Sequence, residues 1–256
     1  MLIDTHIHLD RFSAELDLEK ELIAARKSGV ARFVVPGVHR CDWPRLKKMV
    51  ASIDGGLAAY GVHPLAGEEW DQSCGDELQN FLRDEKAVAV GEIGLDRYVD
   101  VVREVQERVF REQLQIAVAE GLPVLIHCRR RTGRILEILQ EEKINRVGGI
   151  MHAFGGSYET ARKAISLGFV LSFGGSLTYP EARRVVEVLQ KAPGDAIVIE
   201  TDAPDMAPHP HRGCANRPLW LNLVLERLAE IRGWSLEQAA AMTTRNARRA
   251  LKLDER

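Results

Sequence analysis

Two histidines lie two residues apart near the start of the chain, in the segment Met1-Leu-Ile-Asp-Thr-His-Ile-His-Leu-Asp10. If this segment is a β-strand, alternate side chains share one face, so Asp4, His6 and His8 would lie side by side. Two imidazoles arranged in this way can bind one metal ion. A single histidine in a strand is more often a packed structural residue, so a metal site here requires ligands from other segments.

Further ionisable side chains follow short apolar runs along the chain, at the points where strands would end. Each of them alone could simply end a strand or begin a turn. Six such groups at the ends of five strands are difficult to obtain by chance, and together they predict a metal centre. The predicted ligands are His6, His8, Glu92, His127, His152 and Asp202.

This ligand set is larger than one ion requires. Four imidazoles and two carboxylates exceed the three or four protein ligands of a single catalytic ion. We therefore predict two divalent ions bridged by Glu92 and a hydroxide, a cofactor pair that activates water for hydrolysis. The first ion would bind His6, His8, Glu92 and Asp202, and the second would bind Glu92, His127 and His152. The imidazoles suit zinc, manganese or iron.

The elements that must position these groups are short β-rich runs that alternate with helical segments. The predicted strands are residues 2–8, 32–36, 57–62, 87–92, 123–127, 149–153, 169–173 and 196–202. Helix signals separate them; Gly121, for example, ends a run from about residue 103 to 120. A capping-box pattern at Ser235-Leu-Glu-Gln238 opens one more helix near the end.

Eight β/α units in 256 residues match one (β/α)8 TIM barrel with an extra C-terminal helix, although a doubly wound open sheet shares much of this pattern. We find no linker or composition shift, so we predict a single hydrolase domain spanning residues 1–256. A barrel would gather function at the C-terminal ends of its strands, where the predicted ligands lie.

Composition indicates an ordinary globular protein. The hydrophobic fraction is 45% and the formal net charge is −2, so no long-range basic field favours nucleic acid. The four cysteines are scattered without zinc-type spacing, which is typical of reduced cytoplasmic thiols. We also expect no signal peptide and no membrane partner, because no apolar run approaches the roughly 20 residues that span a bilayer. A monomer is favoured.

Several motifs occur together and in order along the chain. They are Asp4-Thr-His-Ile-His-Leu-Asp10, Gly91-Glu-Ile-Gly-Leu-Asp96, Ile126-His-Cys-Arg129, His152-Ala-Phe-Gly-Gly156, Glu200-Thr-Asp-Ala-Pro204, Arg212-Gly-Cys-Ala-Asn-Arg-Pro218 and Thr244-Arg-Asn-Ala-Arg-Arg249. In this combination the chain resembles the TatD family of metal-dependent deoxyribonucleases, within the amidohydrolase-like barrels.

The resemblance implies a TIM-type barrel and a divalent-metal phosphodiesterase that acts on DNA, often from the 3′ end. It also implies magnesium or manganese in activity, with zinc as a further candidate. The chain departs from the family pattern at Ala153 and Gly155, where cysteine and serine are common, and at Asp205, where an aromatic residue is common. The first departure spares the ligand His152, whereas the second concerns the substrate rim.

The remaining polar residues near these strand ends have predicted roles. Asp202 would bind a metal ion and take the proton of the attacking water, while His63 would contact or protonate the leaving oxygen. Glu200 and Asp4 would either support a ligand from behind or form structural hydrogen bonds inside the barrel.

Arginines near the strand ends could bind phosphate oxygens bidentately. Arg129 and Arg212 are the predicted substrate residues, whereas at least two of Arg130, Arg131 and Arg134 would only decorate a solvated helix. With a net charge of −2, DNA binding should be weak and salt-sensitive. Two alternatives remain: a hydrolase of a small amide, lactone or phosphate ester, and a non-catalytic nucleic-acid-binding barrel.

Overall fold

The computed structural model describes residues 1–12 and 17–254, so residues 13–16 and 255–256 of the predicted domain lie outside the described part. Eight strands form one sheet in sequential order, and every neighbouring pair is parallel. The strands are β1 (Leu2–Asp4), β2 (Val30–Pro36), β3 (Gly56–Tyr60), β4 (Ala87–Asp96), β5 (Val124–Arg129), β6 (Gly149–Met151), β7 (Phe169–Phe173) and β8 (Ile197–Ile199).

Helices connect the strands, as parallel pairing requires. They are α1 (Leu18–Lys27), α2 (Trp43–Ser52), α3 (Cys74–Leu82), α4 (Arg103–Glu120), α5 (Thr132–Glu141), α6 (Tyr158–Ser166), α7 (Arg183–Lys191), α8 (Leu221–Arg232) and α9 (Leu236–Ala250). The predicted (β/α)8 barrel is therefore confirmed, and α9 is its extra C-terminal helix. No helix in the described part of the chain is long and apolar enough to cross a membrane.

Backbone hydrogen bonds join the ends of the first and last strands. The Thr5 N–H donates to the Ile199 carbonyl at 3.2 Å, just beyond β1. Further along, the Asp202 N–H donates to His6 at 2.9 Å, and the His8 N–H donates to Ala203 at 2.8 Å. This seam brings the first and last predicted ligands to the same place, although almost the whole chain separates them.

The prediction that β1 extends to His8 is wrong. The strand stops at Asp4, and the next residues exchange backbone hydrogen bonds with the segment after β8. His8 has φ −92° and ψ 69°, which is not an extended conformation. Alternation along a strand therefore does not bring the two imidazoles together; an irregular loop does.

Other strand bounds differ in ways that matter for the site. Strand β4 continues past its predicted end at Glu92 to Asp96, and all ten of its residues are buried. Strands β6 and β8 stop early, so His152 and Asp202 lie in the loops that follow them. The predicted limits of β7 and α4 are confirmed, with Gly121 ending α4 at φ 68°.

Helix α9 covers the N-terminal end of the barrel. Its Ala247, together with Leu251 just beyond it, packs against the small apolar side chains that fill the interior, including Ile3 and Val198. The Asn246 amide donates to the carbonyls of Gly194 and Ile197, each at 2.8 Å. Because this end is filled, the opposite end is the one that is open for a site.

Candidate metal centre and active-site cleft

Glu92, in the middle of β4, lies between two sets of imidazoles. Its Oε2 is 3.4 Å from His6 Nε2 and 3.6 Å from His8 Nε2. Its Oε1 is 2.9 Å from His127 Nδ1 and 3.6 Å from His152 Nε2. One carboxylate thus offers an oxygen to each side. Burial opposes its ionisation, but the imidazoles of His6 and His63 outweigh burial and hold the pKa of Glu92 well below its usual range.

His6 and His8 face each other across the seam between β1 and β8. Their Nε2 atoms are 3.2 Å apart, and each is 3.7 Å from Asp202 Oδ1. Burial is the main reason that the pKa of His8 is well below its usual range, so its imidazole is neutral. Two imidazole nitrogens and a carboxylate oxygen that converge in this way are a set of ligands suited to a divalent cation.

The His127 ring is held at both nitrogens. While Nδ1 faces Glu92, Nε2 lies 3.0 Å from Asp96 Oδ2 at the end of β4. These hydrogen bonds raise the pKa of His127 although burial lowers it. Asp96 also accepts a 2.8 Å hydrogen bond from the Tyr98 N–H. Asp96 therefore fixes the orientation of the ring and leaves Nδ1 directed toward the centre.

Glu200 holds His152 in the same manner. Its Oε1 lies 2.9 Å from His152 Nδ1 and accepts from the Ala153 N–H at 2.7 Å. Burial disfavours the charged imidazole, but Glu200 and Asp202 raise the pKa of His152 to about 10. The predicted contact of Glu200 with a ligand is thus present, and it directs His152 Nε2 toward Glu92.

Asp4 forms structural hydrogen bonds inside the barrel, the second of its two predicted roles. Its carboxylate accepts hydrogen bonds from the Thr201 hydroxyl at 2.6 Å and from the Thr201 N–H at 3.0 Å. It also accepts from the His6 N–H at 3.3 Å, whereas its contacts with the His6 and His8 rings are not observed in the described structure. Burial raises its pKa to about 8. Asp4 therefore joins the loops after β1 and β8 by fixing backbone, not by orienting a ring.

Asp202 and His63 complete the centre. Asp202 has a left-handed backbone at φ 58°, which non-glycine residues rarely adopt, and burial raises the pKa of its carboxyl to about 6. His63 Nδ1 accepts from the Leu65 N–H at 3.1 Å, so the proton of the neutral ring is on Nε2, 3.9 Å from Glu92 Oε1. Burial lowers the pKa of His63 to about 3.

These donors fit divalent cations. Three groups have ligand atoms within 4.8 Å of one another: His6, His8 and Glu92; His6, His152 and Asp202; and His63, Glu92 and His127. The structure therefore brings all six predicted ligands together. It differs from the predicted division in two respects, because His152 also lies with the first set and His63 lies beside Glu92 and His127 as a further possible ligand.

The centre lies at the base of a cleft of about 880 Å³. Arg129 lines this cleft, and its guanidinium lies over the Tyr98 ring at 4.7 Å. Arg212, the other predicted substrate residue, is not among the described residues that line it. Its guanidinium pairs with the exposed Glu181 and lies over the Tyr179 ring at 4.3 Å, and its substrate role stays a prediction.

Two residues at or beside this site were not predicted from the sequence. Asp96 lies within the quoted motif after Glu92, but it was not assigned a role because the predicted strand ended four residues earlier. Tyr98 is 59% exposed beside Arg129. For Asp96 the available signal was the motif itself, since an acidic residue that ends a barrel strand lies at the functional face, whereas Tyr98 lies two residues beyond the motif.

Comparisons with known proteins agree with this geometry. Residues 3–252 match the family model described as TatD related DNase. The chain is 38% identical to the metal-dependent hydrolase YabD of Bacillus subtilis, over 99% of this chain and 100% of that protein. It is 33% identical to the metal-dependent hydrolase YcfH of Escherichia coli K12, over 99% and 96% of the two chains.

A solved structure supports the same assignment. The crystal structure of YJJV, a TatD homolog from Escherichia coli K12, superposes with a TM-score of 0.92 at 34% identity and covers 98% of this chain and 97% of that one. Fold, site and sequence all lead to one conclusion: the chain belongs to the TatD family of metal-dependent hydrolases.

Proposed function

We propose that this hydrolase cleaves phosphodiester bonds of DNA from the end of a strand, with two divalent cations held on the two sides of Glu92. The observation that carries the proposal is the position of the Glu92 carboxylate, whose Oε2 faces His6 and His8 while Oε1 faces His127 and His152. A carboxylate between two sets of donors is the arrangement of a two-metal hydrolytic site.

The residues that would hold the cations are divided by these oxygens. His6, His8 and Asp202 would hold the first cation, and His127 and His152 the second, with Glu92 shared. Magnesium, manganese and zinc are the candidate metals. When bound, the cations would lower the pKa of a water molecule and withdraw charge from the phosphoryl oxygens.

Two side chains of the protein, Asp202 and His63, would accept a proton and donate a hydrogen bond during the reaction. Asp202 would accept a proton, as a general base, at the carboxylate oxygen that does not face His6 and His8. His63 donates a hydrogen bond from Nε2 to the leaving oxygen. Because its pKa is about 3, His63 acts as a neutral donor and not as an imidazolium acid.

The cleft mouth supports a nucleic acid as the substrate. Arg129 has no carboxylate within 4.0 Å among the described residues, so its guanidinium is available for a phosphate. Tyr98, Leu65 and Met206 expose 59%, 42% and 38% of their surface around the site. Exposed aromatic and apolar side chains near a cationic group suit stacked bases on a sugar-phosphate strand.

The test is hydrolysis of end-labelled single-stranded DNA by protein loaded in turn with magnesium, manganese and zinc. Glu92→Gln keeps the side-chain volume and should lower the rate about 100-fold or more, because the amide cannot join two cations. Glu226→Gln, an exposed position on α8, is the control and should leave the rate unchanged.

The other outcomes distinguish the alternatives. Metal-dependent cleavage of small esters or amides without cleavage of DNA would assign the small-molecule hydrolase. DNA binding without cleavage under all three metals would assign a non-catalytic barrel.

A further inference from the structure

The active-site cleft adjoins a second cavity between the loops after β5 and β6. This cavity has a volume of about 520 Å³. It shares four lining residues with the cleft, namely Cys128, Arg129, His152 and Ala153. The two spaces therefore adjoin each other at these residues.

The second cavity is basic, unlike the cleft. Arg129, Arg130 and Arg184 line it, whereas no aspartate or glutamate occurs among its described lining residues. In contrast, aspartates such as Asp10, Asp96 and Asp205 line the cleft. The cavity thus presents a positive field directly beside an acidic metal centre.

The charges of these three arginines are not neutralised by the protein. Within residues 1–12 and 17–254, none of the three has a carboxylate oxygen within 4.0 Å, and all three are exposed. Neighbouring arginines differ: Arg134 pairs with Glu107 at 2.7 Å, and Arg217 pairs with Glu21 at 2.7 Å. Unpaired guanidiniums gathered on one cavity are suited to bidentate binding of an oxyanion.

The shape and remaining donors fit the same kind of ligand. Ala153 and Gly155 line one side, and the absence of a side chain at Gly155 leaves space there, since a Cβ would meet no heavy atom closer than 3.9 Å. Thr132 adds a hydroxyl at the first residue of α5, where no side chain caps the helix. Free N–H groups at a helix start favour an anion, in addition to the arginines.

We propose that this cavity binds a second phosphate of the DNA strand, next to the phosphodiester held at the metal centre, through Arg130 and Arg184. The inference rests on the proposed function, because it assigns how the same site extends along the substrate. Arg129 lies at the junction and contacts the strand where it passes from one space to the other. The protein would thereby prefer a polynucleotide over a small phosphodiester.

The first experiment measures binding without catalysis. Fluorescence anisotropy of a labelled 12-nucleotide single strand, with EDTA-treated protein, gives the affinity as a function of salt. The double variant Arg130→Gln/Arg184→Gln should bind about tenfold more weakly, because it lacks two charged contacts that stabilise binding in the wild-type protein. The slope of log affinity against log salt should become less steep by about 0.7, the value for the loss of one phosphate contact on a single strand.

A matched control removes the same charge elsewhere. Arg83 and Arg146 are exposed, follow α3 and α5, and lie in the loops at the opposite end of the barrel. The variant Arg83→Gln/Arg146→Gln should leave both the affinity and the slope at the wild-type values. Equal losses in the two double variants, or no loss in either, would overturn the proposal.

The second experiment separates this proposal from the proposed function. With metal-loaded protein, the Arg130→Gln/Arg184→Gln variant should raise the KM for the oligonucleotide about tenfold, while hydrolysis of bis(p-nitrophenyl) phosphate stays unchanged. If the variant lowered both reactions equally, the arginines would act on the centre and the second phosphate site would be excluded. If wild-type protein cleaved neither substrate, the proposed function itself would fail, while the salt slopes would still decide the cavity.

Discussion

Asp96 and His127 form a hydrogen bond of 3.0 Å between the ends of β4 and β5, and this bond determines which nitrogen of the ring faces the metal centre. With Nε2–H directed at Asp96, only Nδ1 is available to Glu92 and to a cation. A carboxylate behind a histidine ligand both orients the ring and strengthens it as a donor.

Asp96→Asn should therefore weaken metal binding. Because the Tyr98 N–H already occupies one oxygen, the new amide NH2 would face the ring and favour the tautomer with the proton on Nδ1. We expect metal affinity to fall about 10- to 100-fold. Metal content after dialysis against buffered manganese measures it, with the exposed neighbour Asp100→Asn as the control. Wild-type metal content in Asp96→Asn would refute this role.

Glu200 should control the protonation of His152. In Glu200→Gln the Oε1 acceptor for His152 Nδ1 and the Ala153 N–H is kept, but the charge is lost. We expect the pKa of His152, about 10 in the metal-free protein, to fall by several units because burial then dominates. An NMR titration of histidine ring signals in EDTA-treated protein checks this. Glu200→Ala removes the acceptor as well and should also lower the free energy of unfolding by about 1–3 kcal/mol.

The predicted division of the ligands can be tested by removing one side. The double substitution His6→Ala/His8→Ala should remove one metal equivalent and leave the other largely in place, because Glu92 Oε1 still faces His127 and His152. Metal analysis per chain at saturating manganese gives the stoichiometry. Two equivalents in the double variant would show that the division is wrong.

Asn246 should contribute to stability without affecting the chemistry. Its amide donates to the buried carbonyls of Gly194 and Ile197, at the end of the barrel away from the cleft. Asn246→Ala leaves both carbonyls without this donor and should cost about 1–3 kcal/mol in urea denaturation. The exposed Asn145→Ala should cost about 0.5 kcal/mol or less. A loss of activity at unchanged stability would contradict this assignment.

The helix ends that depend on local residue types were predicted correctly from the sequence. Gly121 stops α4 because its left-handed backbone suits glycine, and Ser235 with Gln238 forms the capping box of α9. Period-two alternation wrongly extended β1 through His6 and His8, although the strand ends at Asp4. The backbone hydrogen bonds of His6 and His8 to the segment after β8 join residues far apart in sequence, so local patterns did not predict them.

Side-chain contacts between segments far apart in sequence could not be predicted. Asp96 contacts His127 across 31 positions, and Arg212 pairs with Glu181 across 31 positions. Both are side-chain contacts between different β/α units. The first adds Asp96 to the site and the second gives Arg212 a carboxylate partner, and neither contact is visible in local patterns of polarity.

The seam between β1 and β8 also governs when the metal centre can form. His6 and His8 are synthesised long before Asp202 and Ala203, but their backbone is fixed by hydrogen bonds with these two later residues. Until the barrel closes, the two histidines therefore lack the Asp202 carboxylate, and the backbone of their loop is not fixed by hydrogen bonds to the segment after β8. Full metal uptake therefore requires that the segments after β1 and β8 have met. The hydrogen bonds that complete the barrel also complete the metal centre.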